Sequence, residues 1–512
     1  MKFLITAILC LFSIVFVSAQ TYPPINSGEV IAQALQLHND GKYKEAIELY
    51  KKVPRNDTNY AYALYELAYS QNADKDLDGT ILTLRKGLEL EISDYELDYM
   101  TLLGNTIDDK GDANHAISVY DSALIKYPNA QMLHLNKSIC LIRLQKADEA
   151  EAILQELLIK NPFYSSAHFR LGQCAIQKGQ LVQAMMCFYT YLLNTPDGIH
   201  SNTIIKLLSN LSKGTDDVME VVNKRKAGPQ GNFALVEQII LSKIALDKSY
   251  KVHTDLDDPI LRQLQVMMEK LEYDSADPDF YMQFYVPLLK DIFNKDMIEP
   301  ASFRAFSDVK IDAIQKYLKN NQKKLNQAIN VISTNQDKIR TTRELNYEKR
   351  QSAPVFYHFD KGSLFASGNN INEKYEGKWA FYHPNGNIKS TGMYIGSKKD
   401  GKWTYYYKNG SINGYDNWKN GEPEGEDLIY NKYGVLINKA FFKNGKTEGE
   451  KIAYYALGHP YTVSSFKEGI ESGKFIQYFS SGKKQIEAET ADDALQGSYR
   501  SFHQNGKPHI VT

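Results

Sequence analysis

Residues 401–410 read GKWTYYYKNG, and this stretch decides the fold of the C-terminal third of the chain. An alternating aromatic run opens on a glycine and closes on Asn409-Gly410. An Asn-Gly pair between β-rich runs is a strong hairpin signal, because both residues tolerate the positive φ of a tight turn. Asn385-Gly386 and Asn505-Gly506 repeat the pair. We therefore predict a hairpin at each of these places, with positive φ at both turn positions.

The same pattern recurs every 24 residues. A glycine opens each copy, an aromatic residue follows five positions later, and a second glycine follows nine positions later. The opening glycines are Gly377, Gly401, Gly425, Gly449, Gly473 and Gly497, and the aromatic residues are Tyr382, Tyr406, Tyr430, Tyr454, Tyr478 and Phe502. A fixed period of this kind indicates one small supersecondary unit stacked on copies of itself. Each unit is predicted to be one hairpin that pairs with the next.

The units Gly377–Asp400 and Gly401–Glu424 carry a family resemblance. They resemble the bacterial variant of the MORN repeat, which has Gly-x-Trp-x-x-Tyr-Tyr-x-Asn-Gly at its centre. The resemblance covers residues 353–512 and implies a long, twisted antiparallel sheet with a role in attachment to proteins or surfaces. Lipid binding, which is linked to other MORN repeats, is not expected, because this array mixes Glu with Lys.

The aromatic residues of the array allow two interpretations. Aromatic side chains at one phase of every unit are what a single-layer sheet needs to cover its own face. The same rings could instead form a platform on which sugars stack. The residues predicted for such a platform are Trp403, Tyr405, Tyr407 and Trp418, because aromatic residues are densest there.

A second period, of 34 residues, marks the N-terminal part. Pro128, Pro162 and Pro196 are spaced by 34, and an alanine stands twelve residues before each of them. Leu-Gly pairs at 103–104 and 171–172 and single glycines at 111 and 179 fit helix pairs joined by tight turns. This pattern resembles the tetratricopeptide (TPR) repeat over residues 27–212. It implies an α-solenoid whose concave face, lined by the first helix of each pair, binds a peptide or a partner helix.

The first-helix positions that would line this face are predicted partner-binding residues. They are Asn105, Leu135, Ile139, Phe169 and Gln173. The TPR variant that clamps a C-terminal carboxylate needs Lys, Arg and Asn on this face. It is not expected, because the facing first-helix positions, which also include Asp108, offer mainly apolar residues and acids. Two occupants of the groove stay open, a partner protein and the following helices of this chain.

Residues 213–350 lose the 34-residue period but keep helical patterns. We predict an irregular helical connector made of degenerate repeats. Its last segment, Val309–Arg340, is polar and basic and is predicted to be a solvated helix that bridges the two arrays. Nucleic acid is not expected as a partner, because the net charge of the chain is −1 and the segment has few aromatic residues for stacking.

Residues 1–19 have the pattern of a signal peptide: a lysine, an apolar run, and a small-residue cleavage motif before Gln20. We therefore expect an exported protein of the periplasm or cell envelope, of Bacteroidetes type, with outer-membrane association left open. No later stretch is apolar enough to predict an integral membrane segment. The three cysteines that remain are too few for a disulfide framework and lack zinc-site spacing, so no metal is expected.

No motif predicts catalysis. Residues 396–402, GSKKDGK, imitate a phosphate-binding loop, but Trp403 stands where Ser or Thr would hold Mg²⁺ and a hairpin is predicted in place of a helix. The sequence thus predicts an α+β multidomain protein with a TPR α-solenoid followed by a MORN-like hairpin sheet. The predicted function is a non-catalytic adaptor for protein partners of the envelope, without a cofactor. The alternative is a protein that binds peptidoglycan or another glycan through the aromatic array.

Overall fold

A computed structural model describes residues 26–90, 95–342, 365–371 and 374–511. The chain divides into two compact units, residues 1–87 and residues 88–512, which are described one at a time. The predicted signal peptide, residues 1–19, lies outside the described residues, and so do residues 353–364 at the start of the predicted hairpin array. Within the described ranges, no helix combines the length and the apolar character that a membrane crossing requires.

Four helices cover the first unit: α1 (Ser27–Asn39), α2 (Tyr43–Tyr50), α3 (Tyr60–Ala73) and α4 (Leu77–Leu88). The Asn26 side chain caps α1 by accepting a hydrogen bond from the Glu29 amide at 3.3 Å. Fully buried Ala34 and Ala46 let α1 and α2 pack closely. These two helix pairs lie within residues 27–212, over which the sequence resembles TPR repeats.

Six helices at the start of the second unit form the three best repeats. They are α5 (Glu96–Asp109), α6 (Ala113–Lys126), α7 (Gln131–Arg143), α8 (Ala147–Lys160), α9 (Ser165–Gln177) and α10 (Leu181–Asn194). Gly104 is needed because the Tyr120 ring packs on its backbone, where a Cβ would lie 2.3 Å from the ring. Phe188 packs on Gly172 in the same way. The predicted helix pairs and their small contact residues are confirmed.

The following helices form a folded body. They are α11 (Ser201–Lys213), α12 (Asp216–Lys224), α13 (Gly231–Leu241), α14 (Pro259–Lys270), α15 (Phe280–Phe284), α16 (Val286–Asn294), α17 (Ile298–Ala305), α18 (Asp312–Asn320) and α19 (Gln322–Thr342). Helices α11, α13 and α17 pack on α10, so residues 181–193 are buried throughout. This region is therefore an extension of the helical core and shares one hydrophobic cluster with α9 and α10.

The predicted solvated helix over Val309–Arg340 is wrong in two respects. The chain breaks at Asn321 into α18 and α19. Helix α19 packs on α8, α16 and α17 and buries Leu325, Ala328 and Ile332. These apolar residues recur at 3- and 4-residue spacing, which is sufficient for one buried stripe on a helix that is otherwise polar.

One antiparallel sheet follows the helices. Its strands are β1 (Ala366–Ile371), β2 (Lys374–Tyr382), β3 (Ile388–Ile395), β4 (Lys398–Tyr406), β5 (Ile412–Lys419), β6 (Glu422–Pro423), β7 (Gly425–Tyr430), β8 (Leu436–Lys443), β9 (Lys446–Thr447), β10 (Gly449–Tyr454), β11 (Pro460–Lys467), β12 (Ile470–Tyr478), β13 (Lys484–Ala491), β14 (Ala494–Phe502) and β15 (Pro508–Val511). The strands pair in chain order, and the short β6 and β9 extend the pairing of β5 and β8. The hairpin array is confirmed, and strand β4 occupies residues 398–406, where the sequence only imitates a phosphate-binding loop.

The turns differ from the prediction. At Asn409-Gly410 only the glycine has positive φ, +84°, and the loop spans five residues, because Tyr407 N bonds to Ser411 O at 2.8 Å. Positive φ at both positions occurs in the other turn of the unit, where Asn420 and Gly421 have φ of +55° and +87°. A longer hairpin loop needs one left-handed residue, whereas a two-residue loop needs two.

A column of acidic side chains ties successive hairpins together. The residue before the opening glycine accepts a hydrogen bond from a backbone amide in the turn 20 residues further on. The bonds are Gly396 N to Glu376 Oε1 at 2.7 Å, Asn420 N to Asp400 Oδ1 at 3.4 Å, Asn444 N to Glu424 Oε2 at 2.7 Å and Glu468 N to Glu448 Oε2 at 2.9 Å. Each acidic side chain in this column therefore has a structural role, because its carboxylate accepts a hydrogen bond from a turn of the next hairpin.

Replacing Glu424 with alanine is expected to lower the free energy of unfolding of the array by about 1 kcal/mol, the usual net value of such a bond. The amide of Asn444 loses its acceptor, so its hydrogen exchange should accelerate first. Hydrogen exchange followed by mass spectrometry measures this. The matched control is Glu422→Ala at an exposed position two residues earlier. Equal exchange at Asn444 in the two variants would contradict the assignment.

Candidate functional site

A polar cluster lies across the first helices of three consecutive repeats, α5, α7 and α9. On α5, the Asn105 side-chain oxygen accepts hydrogen bonds from Asn136 Nδ2 on α7 at 2.7 Å and from the Tyr120 hydroxyl at 2.7 Å. On α7, Arg143 Nη1 donates to Asp108 Oδ1 at 2.6 Å. The amides and Arg143 are thereby held in position by neighbours on adjacent helices. We call Asn105, Asn136, Arg143, Arg170 and Gln173 the helix-A cluster.

Arg170 on α9 is the unusual member of the helix-A cluster. Its guanidinium lies 4.8 Å from the centre of the Phe169 ring, and Nη1 donates to the neutral amide oxygen of Gln173 at 2.9 Å. Within the part of the chain that the structure describes, its buried Nε has no hydrogen-bond acceptor. Burial, and then the charge of Arg143, lower the pKa of Arg170. A half-buried cation without a carboxylate partner is costly unless a ligand supplies the acceptor.

A second buried polar atom without a hydrogen-bond partner among the described residues lies beside the cluster, also on α9. Gln177 donates through Nε2 to the Ile142 carbonyl at 2.9 Å, but its buried Oε1 has no partner among the described residues. Arg143 is about half exposed, so the helix-A cluster is open to solvent at one end. Together the groups present donors from Arg170 and an acceptor from Gln177, which is the combination that the C=O and N–H groups of an extended peptide backbone satisfy. An acidic side chain could meet the Arg170 donors only.

The predicted partner-binding residues divide into two groups. Asn105 and Gln173 belong to the helix-A cluster and are half-buried. Leu135 and Phe169 are 6% and 3% exposed, and Ile139 packs against the same hydrophobic cluster. The Phe169 ring stacks on His200 of the chain itself at 4.4 Å. These apolar residues thus offer little surface in this conformation, and partner binding by them stays a prediction.

The sequence interpretation missed Asn136, Arg143 and Arg170. Describing this face as apolar and acidic is wrong, because a second stripe of the first helices is polar and basic. A signal was available in the period: Asn136 and Arg170 stand 34 residues apart, as do Arg143 and Gln177. Polar residues at equivalent positions of successive repeats share a face of the solenoid.

The four residues predicted for a sugar platform do not form one exposed aromatic surface. Trp403 is 1% exposed, because its ring packs on the backbone of Gly392 and its Nε1 donates to the Met393 carbonyl at 3.2 Å. Tyr407 lies apart from the other three and donates its hydroxyl to the Tyr430 carbonyl at 2.8 Å, which links two hairpins. The Trp403 ring therefore presents no free face for a sugar in this conformation.

The structure brings Trp403, Tyr405 and Trp418 together around one lysine. Lys399 Nζ lies 4.4 Å and 4.5 Å from the Trp403 and Trp418 ring centres and donates to the Tyr405 hydroxyl at 2.8 Å. Asp416 accepts from Tyr405 at 3.0 Å and from Trp418 Nε1 at 2.6 Å. Burial lowers the pKa of Lys399, and the charge of Asp416 opposes that shift. The chain's own ammonium therefore occupies this aromatic cage.

Metal-binding geometry is not assembled in the described ranges. No group of three or more His, Cys, Asp or Glu side chains there could hold a metal ion. Cys140, Cys174 and Cys187 are all buried, and burial raises the pKa of each thiol, which keeps it protonated at neutral pH.

Comparison with known families matches both arrays. The tetratricopeptide repeat family matches over residues 109–168 and 141–198, and the MORN repeat variant matches over residues 375–395 and 399–420. No curated protein matches the chain. The matches lie within the repeats that the two periods identify.

Several solved structures resemble parts of this chain, with low sequence identity and low TM-scores. A thermophilic TPR protein from Thermus thermophilus is 21% identical, with 36% of this chain and 98% of that chain covered and a TM-score of 0.30. A TPR protein from Parabacteroides merdae is 14% identical, with 60% and 98% covered and a TM-score of 0.32. PilW, a type IV pilus biogenesis factor, is 19% identical, with 38% and 98% covered and a TM-score of 0.29. Likenesses of this strength say nothing about the function of the chain.

Proposed function

We propose that this chain, which carries tetratricopeptide repeats followed by MORN-variant repeats, is a non-catalytic scaffold that holds a partner protein on its helix-A cluster. TPR repeats generally mediate protein–protein interaction. The observation that carries the proposal is Arg170, a half-buried cation whose Nε lacks an acceptor among the described residues, on a face that otherwise satisfies most of its polar groups.

The chemistry of the cluster selects the kind of partner segment. Arg170 needs an oxygen acceptor, and a carboxylate or a backbone carbonyl supplies one. Asn136 and Asn105 are held by each other and by Tyr120, so they meet a ligand in one fixed orientation. Such preorganisation lowers the entropy lost on binding. The partner segment is therefore an extended, acidic peptide.

Replacing Arg170 with alanine is expected to weaken partner binding about tenfold, because a hydrogen bond to a charged group contributes roughly 1.5 kcal/mol or more. Crosslinking and mass spectrometry on intact cells identify the partner of the wild-type chain, and titration of the purified pair then gives both affinities. Lys146→Ala is the matched control, since it removes an exposed cation just before α8. Equal affinities for wild type and Arg170→Ala would remove the helix-A cluster from the proposal.

The proposed place of action is the periplasm or cell envelope, with envelope components as partners. The support is the apolar run and cleavage motif in residues 1–19. Mass spectrometry of the N-terminus after cell fractionation tests it. A mature chain beginning at Gln20 in the envelope fraction is the expected result, and a cytoplasmic chain that still begins at Met1 would refute it.

The geometry of the hairpin array does not favour glycan binding as a second function. Trp403 is buried and Lys399 already occupies the cage. Sedimentation of the full chain with purified peptidoglycan separates the alternatives. Co-sedimentation that Trp418→Ala abolishes would restore the glycan-binding interpretation.

A further inference from the structure

His134 and His168 occupy the same position in successive repeats, 34 residues apart. Each makes the same local bond at the start of its helix. His134 Nε2 lies 2.8 Å from the Pro128 carbonyl, and His168 Nε2 lies 2.7 Å from the Pro162 carbonyl. A carbonyl only accepts hydrogen bonds, so Nε2 carries the proton in both rings. In the neutral imidazole Nδ1 is then an acceptor that requires a donor.

At His168 the chain supplies that donor itself. The Tyr285 hydroxyl lies 2.7 Å from His168 Nδ1 and donates its proton there. The Tyr285 and Phe284 rings cover the imidazole at 5.6 Å and 6.0 Å, and His168 is completely buried. A tyrosine from the α15–α16 junction thus fills the space beside this histidine and supplies the donor to Nδ1.

At His134 the corresponding space is open. A cavity of about 340 Å³ is lined by His134, Ala152, Ile153, Glu156, Leu157 and Lys160. Ile153 stands at the repeat position of Cys187, again 34 residues earlier, so it offers an apolar wall where the next repeat has a thiol. Among the described residues, Nδ1 of His134 has no hydrogen-bond donor, and burial lowers the pKa of this histidine, which keeps it neutral.

We propose that the His134 cavity is a docking site for a tyrosine side chain of a partner protein. The phenol hydroxyl donates to His134 Nδ1, as the Tyr285 hydroxyl donates to His168 Nδ1, and the ring packs on Ile153 and Leu157 of the cavity lining. The occupant must combine an aromatic body with a donor, which excludes phenylalanine and carboxylates. The cavity also continues an interface that the structure already contains, since Tyr281 on α15 donates to Glu151 of α8 at 2.5 Å, next to Ala152.

This site is separate from the helix-A cluster, so the two proposals can fail independently. The cavity lies between one first helix and its second helix, whereas the cluster runs across three first helices. Loss of binding at the cavity leaves the surroundings of Arg170 unchanged.

The test uses p-cresol, the side chain of tyrosine as a free molecule, titrated against the full chain and followed by ligand-detected NMR. For a ligand of this size in a matching pocket we expect a dissociation constant of about 1 mM. Toluene lacks the hydroxyl and should bind about tenfold more weakly. Ile153→Trp, which fills the cavity, should abolish binding. His134→Phe should reduce the affinity for p-cresol to that for toluene. This second variant tests the site if Ile153→Trp disturbs folding.

Four outcomes would overturn the proposal. Equal affinity for p-cresol and toluene would show that His134 does not recognise a hydroxyl. Binding of p-cresol at unchanged affinity in both variants would place the probe elsewhere. Stronger binding of 3-methylindole than of p-cresol would assign the cavity to tryptophan. Binding that arises only after Tyr347 and Tyr357 are changed to alanine would show that residues 343–364 of the chain occupy the cavity.

Discussion

Replacing Trp403 with alanine is expected to lower the free energy of unfolding of the hairpin array by about 3–5 kcal/mol, the range for removing a large buried aromatic side chain. Trp403 is 1% exposed and lies on the backbone of Gly392, whose lack of a Cβ leaves room for the ring. It forms a hydrophobic cluster with Trp379 and their aromatic neighbours within this single-layer sheet. Removing the ring leaves a cavity that the strands cannot close, because the sheet hydrogen bonds hold their spacing.

Denaturant unfolding and hydrogen exchange of residues 374–419 measure the loss. The matched control is Tyr433→Ala, an aromatic residue of the same array that is 59% exposed and should change stability by no more than about 0.5 kcal/mol. Gly392→Ala is a second route to the same contact, since its Cβ would lie 2.2 Å from the Trp403 ring. If Trp403→Ala behaves like the control, the ring has another role and the glycan-binding interpretation gains support.

Lowering the pH from 6.5 to 4 is expected to remove about 3 kcal/mol of stability from the helical core through His168 alone. Complete burial lowers the pKa of His168 to about 4 from its usual 6.5, and the bond to the Pro162 carbonyl only partly opposes this. The folded pKa is lower than the unfolded one, so the unfolded chain binds the proton more tightly. The contribution is therefore fully present above pH 6.5 and is lost as the pH falls towards 4.

Urea unfolding of wild type and His168→Gln, followed by the helical circular dichroism signal between pH 7 and pH 4, tests this. Carboxylates titrate in both proteins, so the difference between the two curves isolates the histidine. Tyr285→Phe is the companion variant, because it removes the donor to Nδ1 but keeps the ring. It should destabilise the core by about 1–2 kcal/mol at pH 7. Parallel curves for wild type and His168→Gln would contradict the assignment.

Much of the fold could be predicted because periodicity reports local structure. The 34-residue spacing of proline and small residues predicts the helix pairs α5 to α10. The reason is visible at Gly104 and Gly172, because only glycine leaves room for the aromatic ring that packs on each of these positions. The 24-residue spacing predicts the hairpins for a similar reason. Its opening glycines have positive φ, as at Gly401 with +67°. Such requirements act within one repeat, so the residue types record them.

The candidate sites were less predictable, because they depend on contacts between distant residues. The sequence places Asn105 and Gln173 on the right face but does not reveal Arg170. The significance of Arg170 is that its Nε lacks an acceptor among the residues that the structure describes, and no residue type displays that. Trp403 resembles a platform residue in the sequence because its packing on Gly392 joins two strands and leaves no local mark. Lys399, one of many lysines in the array, gives no sign of lying within an aromatic cage.

The amino-acid sequence by itself determined the two repeat arrays, the order in which they occur and the positions of their turns. The tertiary structure alone decided which surfaces remain available. Tyr285 is separated from His168 by 117 residues yet closes its pocket, while the equivalent pocket at His134 stays open. The physical reason is that periodic residues encode contacts between neighbours, whereas burial depends on segments that pack from far along the chain and follow no period.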